Sequence, residues 1–228
     1  MKALVVVLVV IFLSACSLVQ NKPEATQVST TPTAELQSGI SHEEAIRFFD
    51  LVPGESKLMA MYQALKASDI EFRGPSMWSR GEVFMFIPVS NDKEIYIECF
   101  PDDEIRGEGT VLIVAYQLKD TGGMHYGSPL SVDCEISQQR NTCVSLEQFD
   151  DIIPGESTLE DINSIAEEAG LQGRKPQKYH YGLQMDLPVD EKSAITVVFD
   201  EDYTVISYTY RLADIERWIE ENVNSNTQ

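Results

Sequence analysis

The strongest constraint on the fold of this chain is an eleven-residue segment that occurs twice. Residues 48–58 (FFDLVPGESKL) and 149–159 (FDDIIPGESTL) align without a gap at an offset of 101. In each copy Pro-Gly suits the two central positions of a type II turn, because proline supplies a φ of about −65° and glycine a positive φ. The serine that follows, Ser56 or Ser157, is placed to cap a helix. The segment therefore predicts the same turn and helix start in both halves of the chain.

The similarity continues after each turn, with helical apolar spacing followed by strand-like runs. The predicted strands are 82–89, 94–100 and 111–118 in the first half, and 179–187, 194–199 and 204–212 in the second. Gly170 is predicted to end the second helix, and an amphipathic helix is predicted over 214–223. The fold class is therefore predicted as α+β: two tandem repeats, each a helix followed by a three-stranded antiparallel meander, with sheets side by side or continuous, plus a C-terminal helix.

The N-terminus carries a secretion signal. Lys2 precedes an apolar run over 3–13, which is shorter than the roughly 20 residues that span a bilayer and is typical of a signal peptide. The next four residues, Leu13-Ser14-Ala15-Cys16, resemble the lipobox of bacterial lipoproteins. This resemblance implies cleavage before Cys16 and acylation of its thiol, for example with palmitate. The alternative is an ordinary secretory signal with an incidental cysteine.

These features divide the chain into five segments. They are a signal peptide (1–15), the lipidated cysteine with a Ser/Thr/Pro-rich spacer (16–40), the first repeat (41–125), a joint (126–144), and the second repeat with the C-terminal helix (145–228). The predicted location is extracytoplasmic, in the cell envelope, with the chain anchored to a membrane by lipid. By the lipoprotein resemblance, Ser17 permits export to the outer membrane in a cell that has one.

Two helix-and-meander units resemble the β-lactamase-inhibitor-like architecture, which the β-lactamase inhibitory proteins share with small outer-membrane-assembly lipoproteins. The resemblance covers roughly residues 48–118 and 149–212 and rests on the turn glycine, the following serine and the amphipathic helix. It implies a non-enzymatic binding or assembly module. No binding residue carries over from it.

Charge and composition exclude several functions. The formal net charge of −20 opposes contact with phosphate backbones, so no nucleic-acid partner is expected. The three histidines show no metal-ligand spacing, and Asp200-Glu201-Asp202 is interpreted as a solvated hairpin tip rather than a calcium loop. Nothing selects a catalytic pair of carboxylates. We therefore predict no catalytic residue, no metal and no cofactor.

Three cysteines remain after the lipobox. Cys134 and Cys143 lie in the joint with eight residues between them, and in an oxidising compartment a disulfide between them is favoured over two free thiols. Cys99 alternates with Ile95 and Ile97, so it is predicted to be a buried residue of the sheet.

Aromatic side chains on the predicted strands supply the candidate binding residues Trp78, Tyr96, Tyr181 and Tyr208. Exposed on one face of a sheet, they would form a protein-binding surface, since tyrosine and tryptophan dominate interface hot spots. Alternatively, the two repeats cover both faces. The predicted function is a non-catalytic, lipid-anchored envelope lipoprotein that binds an unknown envelope protein. The alternatives are a structural envelope assembly factor and a carboxylate-dependent hydrolase of cell-wall or glycan material.

Overall fold

A computed structural model describes residues 39–77, 82–100, 109–119, 121, 142–179 and 182–222, and the backbone of 136–137 and 140–141. The predicted signal peptide, Cys16 and the spacer up to residue 38 lie outside the described residues. The helices are α1 (His42–Ile46), α2 (Leu58–Lys66), α3 (Leu159–Glu168) and α4 (Ile215–Asn222), with 3₁₀ helices at Arg47–Asp50 and Leu146–Phe149. The strands are β1 (Arg73–Met77), β2 (Val83–Pro88), β3 (Lys93–Phe100), β4 (Thr110–Leu118), β5 (Ile136–Ser137), β6 (Arg140–Asn141), β7 (Gln177–Tyr179), β8 (Gly182–Pro188), β9 (Ser193–Phe199) and β10 (Val205–Leu212).

The predicted architecture of tandem three-stranded meanders is wrong. The described strands, apart from the short β5–β6 pair, form one eight-stranded antiparallel sheet in the order β1-β2-β3-β4-β10-β9-β8-β7. Two strands of this sheet, β1 and β7, were not predicted, and neither was the β5–β6 pair. The Gly-Pro pair inside β1 is atypical of a strand, and the exposed residues of β7 show no apolar alternation. The predicted strand 179–187 corresponds to β8 from Gly182 onwards and meets β7 only at Tyr179.

The sheet is continuous because β4 and β10 pair at its centre. Their register is symmetric about Ala115↔Thr209, with Tyr116↔Tyr208 on one side and Val114↔Tyr210 on the other. Nearly every residue of these two strands is buried. Pairing these two buried strands with each other satisfies two edges that would otherwise remain open. This pairing converts the two halves of the chain into one sheet.

The two Pro-Gly turns have the same local structure. Gly54 and Gly155 both have a φ of 83°, and their N–H groups donate to the carbonyls of Val111 and Val205 at 2.7 Å. The predicted glycine conformation is confirmed, since only glycine adopts this φ without strain. The predicted serine caps are wrong. The hydroxyl of Ser56 accepts from the backbone N–H of Val52 four residues earlier, so it closes the turn.

Ser157 repeats this arrangement by accepting from the N–H of Ile153 at 2.9 Å. The N-cap positions of α2 and α3 are held by the next residues along the chain, Lys57 and Thr158, and the side chain of Lys57 makes no capping bond. Only the second of these has a capping box, formed with Asp161. The helix stop predicted at Gly170 is confirmed, because α3 ends at Glu168 and Gly170 has a φ of 68°.

Helices α2 and α3 cover one face of the sheet, which we call the helix face. Its core contains Ile97 of β3, Val114 of β4 and Val197 of β9, together with Leu65 of α2 and Ile165 of α3. Residues one position away along the strands form the opposite face. Helix α4 packs against a smaller apolar cluster there with its half-buried Ile215 and Trp218. The helix predicted over 214–223 is therefore present as an amphipathic helix.

Candidate protein-interaction surfaces

The predicted site residues fall into three groups. Cys16, Trp78, Cys134 and Tyr181 lie outside the described residues. Tyr96 and Tyr208 lie in the sheet with exposed fractions of 3% and 1%, so neither ring is presented to solvent. Cys143 is buried and disulfide-bonded. Its pairing with Cys134 remains a prediction, and peptide mapping under non-reducing conditions tests it.

Tyr208 is the centre of an aromatic cluster on the helix face. Its ring centroid lies 4.9 Å from Phe49, 5.7 Å from Phe149 and 5.9 Å from Tyr116. Phe49 and Phe149 belong to the two 3₁₀ helices, so this ring contacts both halves of the chain. The hydroxyl of Tyr208 is buried and has no hydrogen-bond partner among the described residues. The ring therefore contributes packing rather than a polar contact.

Burial also changes the ionisation of the central tyrosines. It raises the pKa of Tyr116 to about 12, and the carboxylates of Glu156 and Asp92 act in the same direction. Burial raises the pKa of Tyr208 far above its usual range, with smaller contributions from Tyr116 and Asp150. The pKa of Tyr210 is raised by burial too, although its hydrogen bond with Ser193 opposes the shift.

These shifts predict a loss of stability in alkali. Above about pH 10 the unfolded chain ionises tyrosines that the folded chain keeps neutral, so the unfolded state binds fewer protons and the free energy of unfolding falls. The slope is expected to approach about 1 kcal/mol per pH unit for each buried tyrosine. Urea unfolding followed between pH 8 and pH 11 measures it. Tyr116→Phe should flatten the slope; an unchanged slope would show that Tyr116 ionises equally in both states.

The opposite face carries buried polar side chains. Glu94 is buried on β3, where its carboxylate lies 2.6 Å from Arg73 Nη2 and accepts from Gln117 Nε2 at 3.1 Å. The guanidinium of Arg73 also stacks on Phe86 at 4.8 Å. Gln117 pairs with Ser207, and Gln117 Oε1 and Ser207 Oγ have no partner within the described residues. Buried polar side chains therefore lie beside the apolar cluster on this face, a result that alternation alone did not predict because glutamate is seldom buried.

Tyr203 is the most exposed of the large hydrophobic residues in the described part of the chain, with 47% of its surface accessible. It lies in the β9–β10 turn with a φ of 64°, the left-handed region that costs a non-glycine residue about 1–2 kcal/mol. Its carbonyl accepts from the N–H of Leu159 at 2.9 Å. In the first half the same bond runs from Leu58 to Gly109, a glycine with a φ of 40°. The second half therefore carries an exposed aromatic ring where the first half has glycine.

The turn around Tyr203 is held by its acidic residue Asp200. The Asp200 carboxylate accepts from the N–H groups of Asp202 at 3.0 Å and Thr204 at 2.8 Å. This carboxylate is engaged in closing the turn, which agrees with the interpretation of 200–202 as a hairpin tip. Among the residues that the structure describes, no cluster of three or more potential metal ligands occurs.

In the part of the chain that the structure describes, β7 is the last strand of the sheet, and its outer edge forms a second exposed surface. Gln177, Lys178 and Tyr179 are all exposed, as are Arg174 and Lys175 just before the strand. Arg174 Nη1 donates to the carbonyl of Asp186 on β8 at 2.7 Å, which attaches this segment to the sheet. The register pairs Tyr179 with Gly182 and Leu183 with Phe199, so Tyr179 lies at the same end of the sheet as the turn that contains Tyr203.

Sequence reasoning did not select either surface. Tyr203 follows three acidic residues and has the appearance of an ordinary turn residue, and its φ is visible only in the structure. For the edge of β7 a signal existed: the stretch 169–185 contains no acidic residue in a chain of net charge −20.

Comparison with known proteins gives no matching family model, no similar curated protein and no similar solved structure. Within the described ranges, every helix is too short or too polar to cross a bilayer.

Proposed function

We propose that this chain is a lipid-anchored envelope lipoprotein that binds another protein, with Tyr203 at the centre of the contact. The exposure and backbone conformation of Tyr203 carry the proposal. In the first half the residue that accepts the corresponding backbone bond is a glycine with positive φ, Gly109, so neither this bond nor a positive φ requires the tyrosine ring. Exposed side chains held in an unfavourable backbone conformation are typical of functional positions.

The chemistry of the turn suits a protein partner. Tyrosine offers a large apolar ring and a hydroxyl at a small cost in side-chain entropy, which is why it is enriched at interface hot spots. The turn is anchored to the sheet through the Leu159–Tyr203 backbone bond and through Asp200. A ring presented on a rigid turn loses little conformational freedom on binding. The signal sequence and the lipobox resemblance at Cys16 support the location in the envelope.

The test places a photo-crosslinking amino acid at position 203 of the full chain, with the same substitution at the exposed Gln63 of α2 as the control. Crosslinking to a discrete protein in native envelopes is expected from position 203 alone. Tyr203→Gly should weaken capture of that protein about tenfold or more, because a hot-spot contact is lost. The same change should leave stability unchanged or raise it by about 1 kcal/mol, because the strain is relieved.

The anchor is tested in the same cells with a clickable palmitate analogue. The wild-type chain and Cys99→Ser should incorporate the label, and Cys16→Ser should not. Equal crosslinking from positions 63 and 203, or capture that is indifferent to Tyr203→Gly, would contradict the proposed contact. Absence of label in the wild-type chain would contradict the anchor.

A further inference from the structure

The two edges of the eight-stranded sheet differ in their ability to accept another strand. At one edge β1 contains Pro75, which has no N–H to donate, and its pairing with β2 shifts register between Arg73 and Ser76. At the other edge β7 pairs with β8 in unbroken register from Gln177↔Gln184 to Tyr179↔Gly182. Alternate residues of an edge strand direct N–H and C=O groups away from the sheet. The β7 edge is therefore the regular one, and its residues are exposed.

The charge of this edge is opposite to that of the chain as a whole. Arg174, Lys175 and Lys178 lie on or just before β7, and all three side chains are exposed. No acidic residue occurs from 169 to 185, whereas the chain carries a net charge of −20. The neighbouring acid Asp186 is occupied, since its carboxylate accepts from Thr196 Oγ1 at 2.6 Å and from Gln184 Nε2 at 3.1 Å. A local positive surface thus coincides with an edge strand that has no further strand beside it among the described residues.

From this coincidence we infer that β7 binds an extended acidic segment of a partner protein as an added strand of the sheet. The backbone of the segment pairs with β7, and its carboxylates meet Arg174, Lys175 and Lys178. Strand addition obtains affinity from main-chain hydrogen bonds and specificity from side chains. This inference rests on the proposed protein-binding function, and it specifies that the partner contains an extended acidic segment.

Charge and backbone pairing favour an acidic segment over two other occupants of the β7 edge, a second copy of the chain and an anionic membrane. A second copy of the chain pairing through its own β7 would bring Lys178 near the same basic residues, and like charges facing each other oppose such a dimer. An anionic membrane would satisfy the three basic residues but would leave the outward N–H and C=O groups of β7 without partners. An acidic peptide segment provides partners for the basic side chains and for the outward backbone groups of β7.

The experiment measures binding of a short labelled peptide of alternating glutamate and valine to the purified full chain by fluorescence anisotropy. We expect saturable binding that weakens about tenfold in the Lys175→Glu/Lys178→Glu variant, because opposite charges become like charges. The matched control Lys192→Glu changes an exposed lysine of the same half that lies outside β7 and should leave binding unchanged. Hydrogen exchange within residues 177–179 should slow on binding, because amides at the outer edge of β7 become paired.

Three further binding measurements, two with altered peptides and one with lipid vesicles, can overturn the inference. The same peptide with every residue N-methylated keeps its charge but has no backbone N–H to donate along either edge, so equal binding would contradict strand addition. A lysine–valine peptide that binds as well would contradict the role of charge. Binding to phosphatidylglycerol vesicles without binding to the peptide would assign the edge to a lipid surface. Failure here with retained crosslinking at Tyr203 would refute only this inference, whereas loss of the Tyr203 contact would refute the proposed function.

Discussion

Replacing Tyr208 by alanine is expected to lower the free energy of unfolding by about 3–5 kcal/mol, the usual cost of removing a large buried aromatic side chain. The ring is 1% exposed and contacts Phe49, Phe149 and Tyr116, so its removal leaves a cavity where both 3₁₀ helices meet the two central strands. Because these contacts come from both halves of the chain, the whole molecule should lose stability in one transition. Chemical denaturation followed by circular dichroism measures the change.

The matched control is Tyr208→Phe, which keeps the ring and removes only the hydroxyl. That hydroxyl is buried without a partner among the described residues, so its removal should be neutral or should stabilise the fold by about 1 kcal/mol. Similar destabilisation by Phe and Ala would mean that the hydroxyl makes an important hydrogen bond. A small effect of both would show that the ring is not the centre of the core.

Gly182→Ala is expected to cost about 2–4 kcal/mol, because two penalties add at this position. Gly182 has a φ of 135°, which alanine rarely adopts. A Cβ built there would lie 2.9 Å from the carbonyl oxygen of Phe199, a backbone atom of the paired strand β9. Relieving that contact requires β8 to move away from β9. Urea denaturation measures the loss in the free energy of unfolding. Hydrogen exchange should be faster in β7, the edge strand that pairs with β8.

Gly173→Ala separates the two penalties. Gly173 has a φ of 81°, yet a Cβ there would meet no atom within 4 Å. Alanine at this position incurs only the backbone strain, so the free energy of unfolding should fall by about 1 kcal/mol. Equal losses for the two variants would contradict a steric contact between residue 182 and Phe199.

Much of the local structure could be predicted from residue chemistry. The glycine conformation at Gly54 and Gly155 follows from the Pro-Gly pairs, and the end of α3 follows from Gly170. Five of the six predicted strands correspond closely to β2, β3, β4, β9 and β10, because apolar alternation is a local signal. The serine caps failed for a local reason too: a serine just after a turn can bond either forwards to a helix or back to the turn, and the spacing alone does not distinguish the two.

The candidate surfaces were much harder to predict. Tyr96 and Tyr208 are strand tyrosines like Tyr179, yet the first two are buried and the third is exposed at 39%. Alternation assigns a side chain to one face of a strand, but it does not say whether that face or that strand is covered. The sequence did not predict the role of Tyr203, because its φ of 64° is imposed by the turn and the sheet around it.

The sequence by itself determined the two Pro-Gly turns, the end of α3 and five of the strands, because these depend on the conformational limits of single residues and their near neighbours. It also supplied the lipobox-like segment around Cys16. Only the tertiary structure decided that β4 and β10 pair into one sheet, that β7 forms its basic edge and that Tyr203 is exposed. Strand pairing and burial depend on residues distant along the chain, and their free energies become visible only when those residues are brought together.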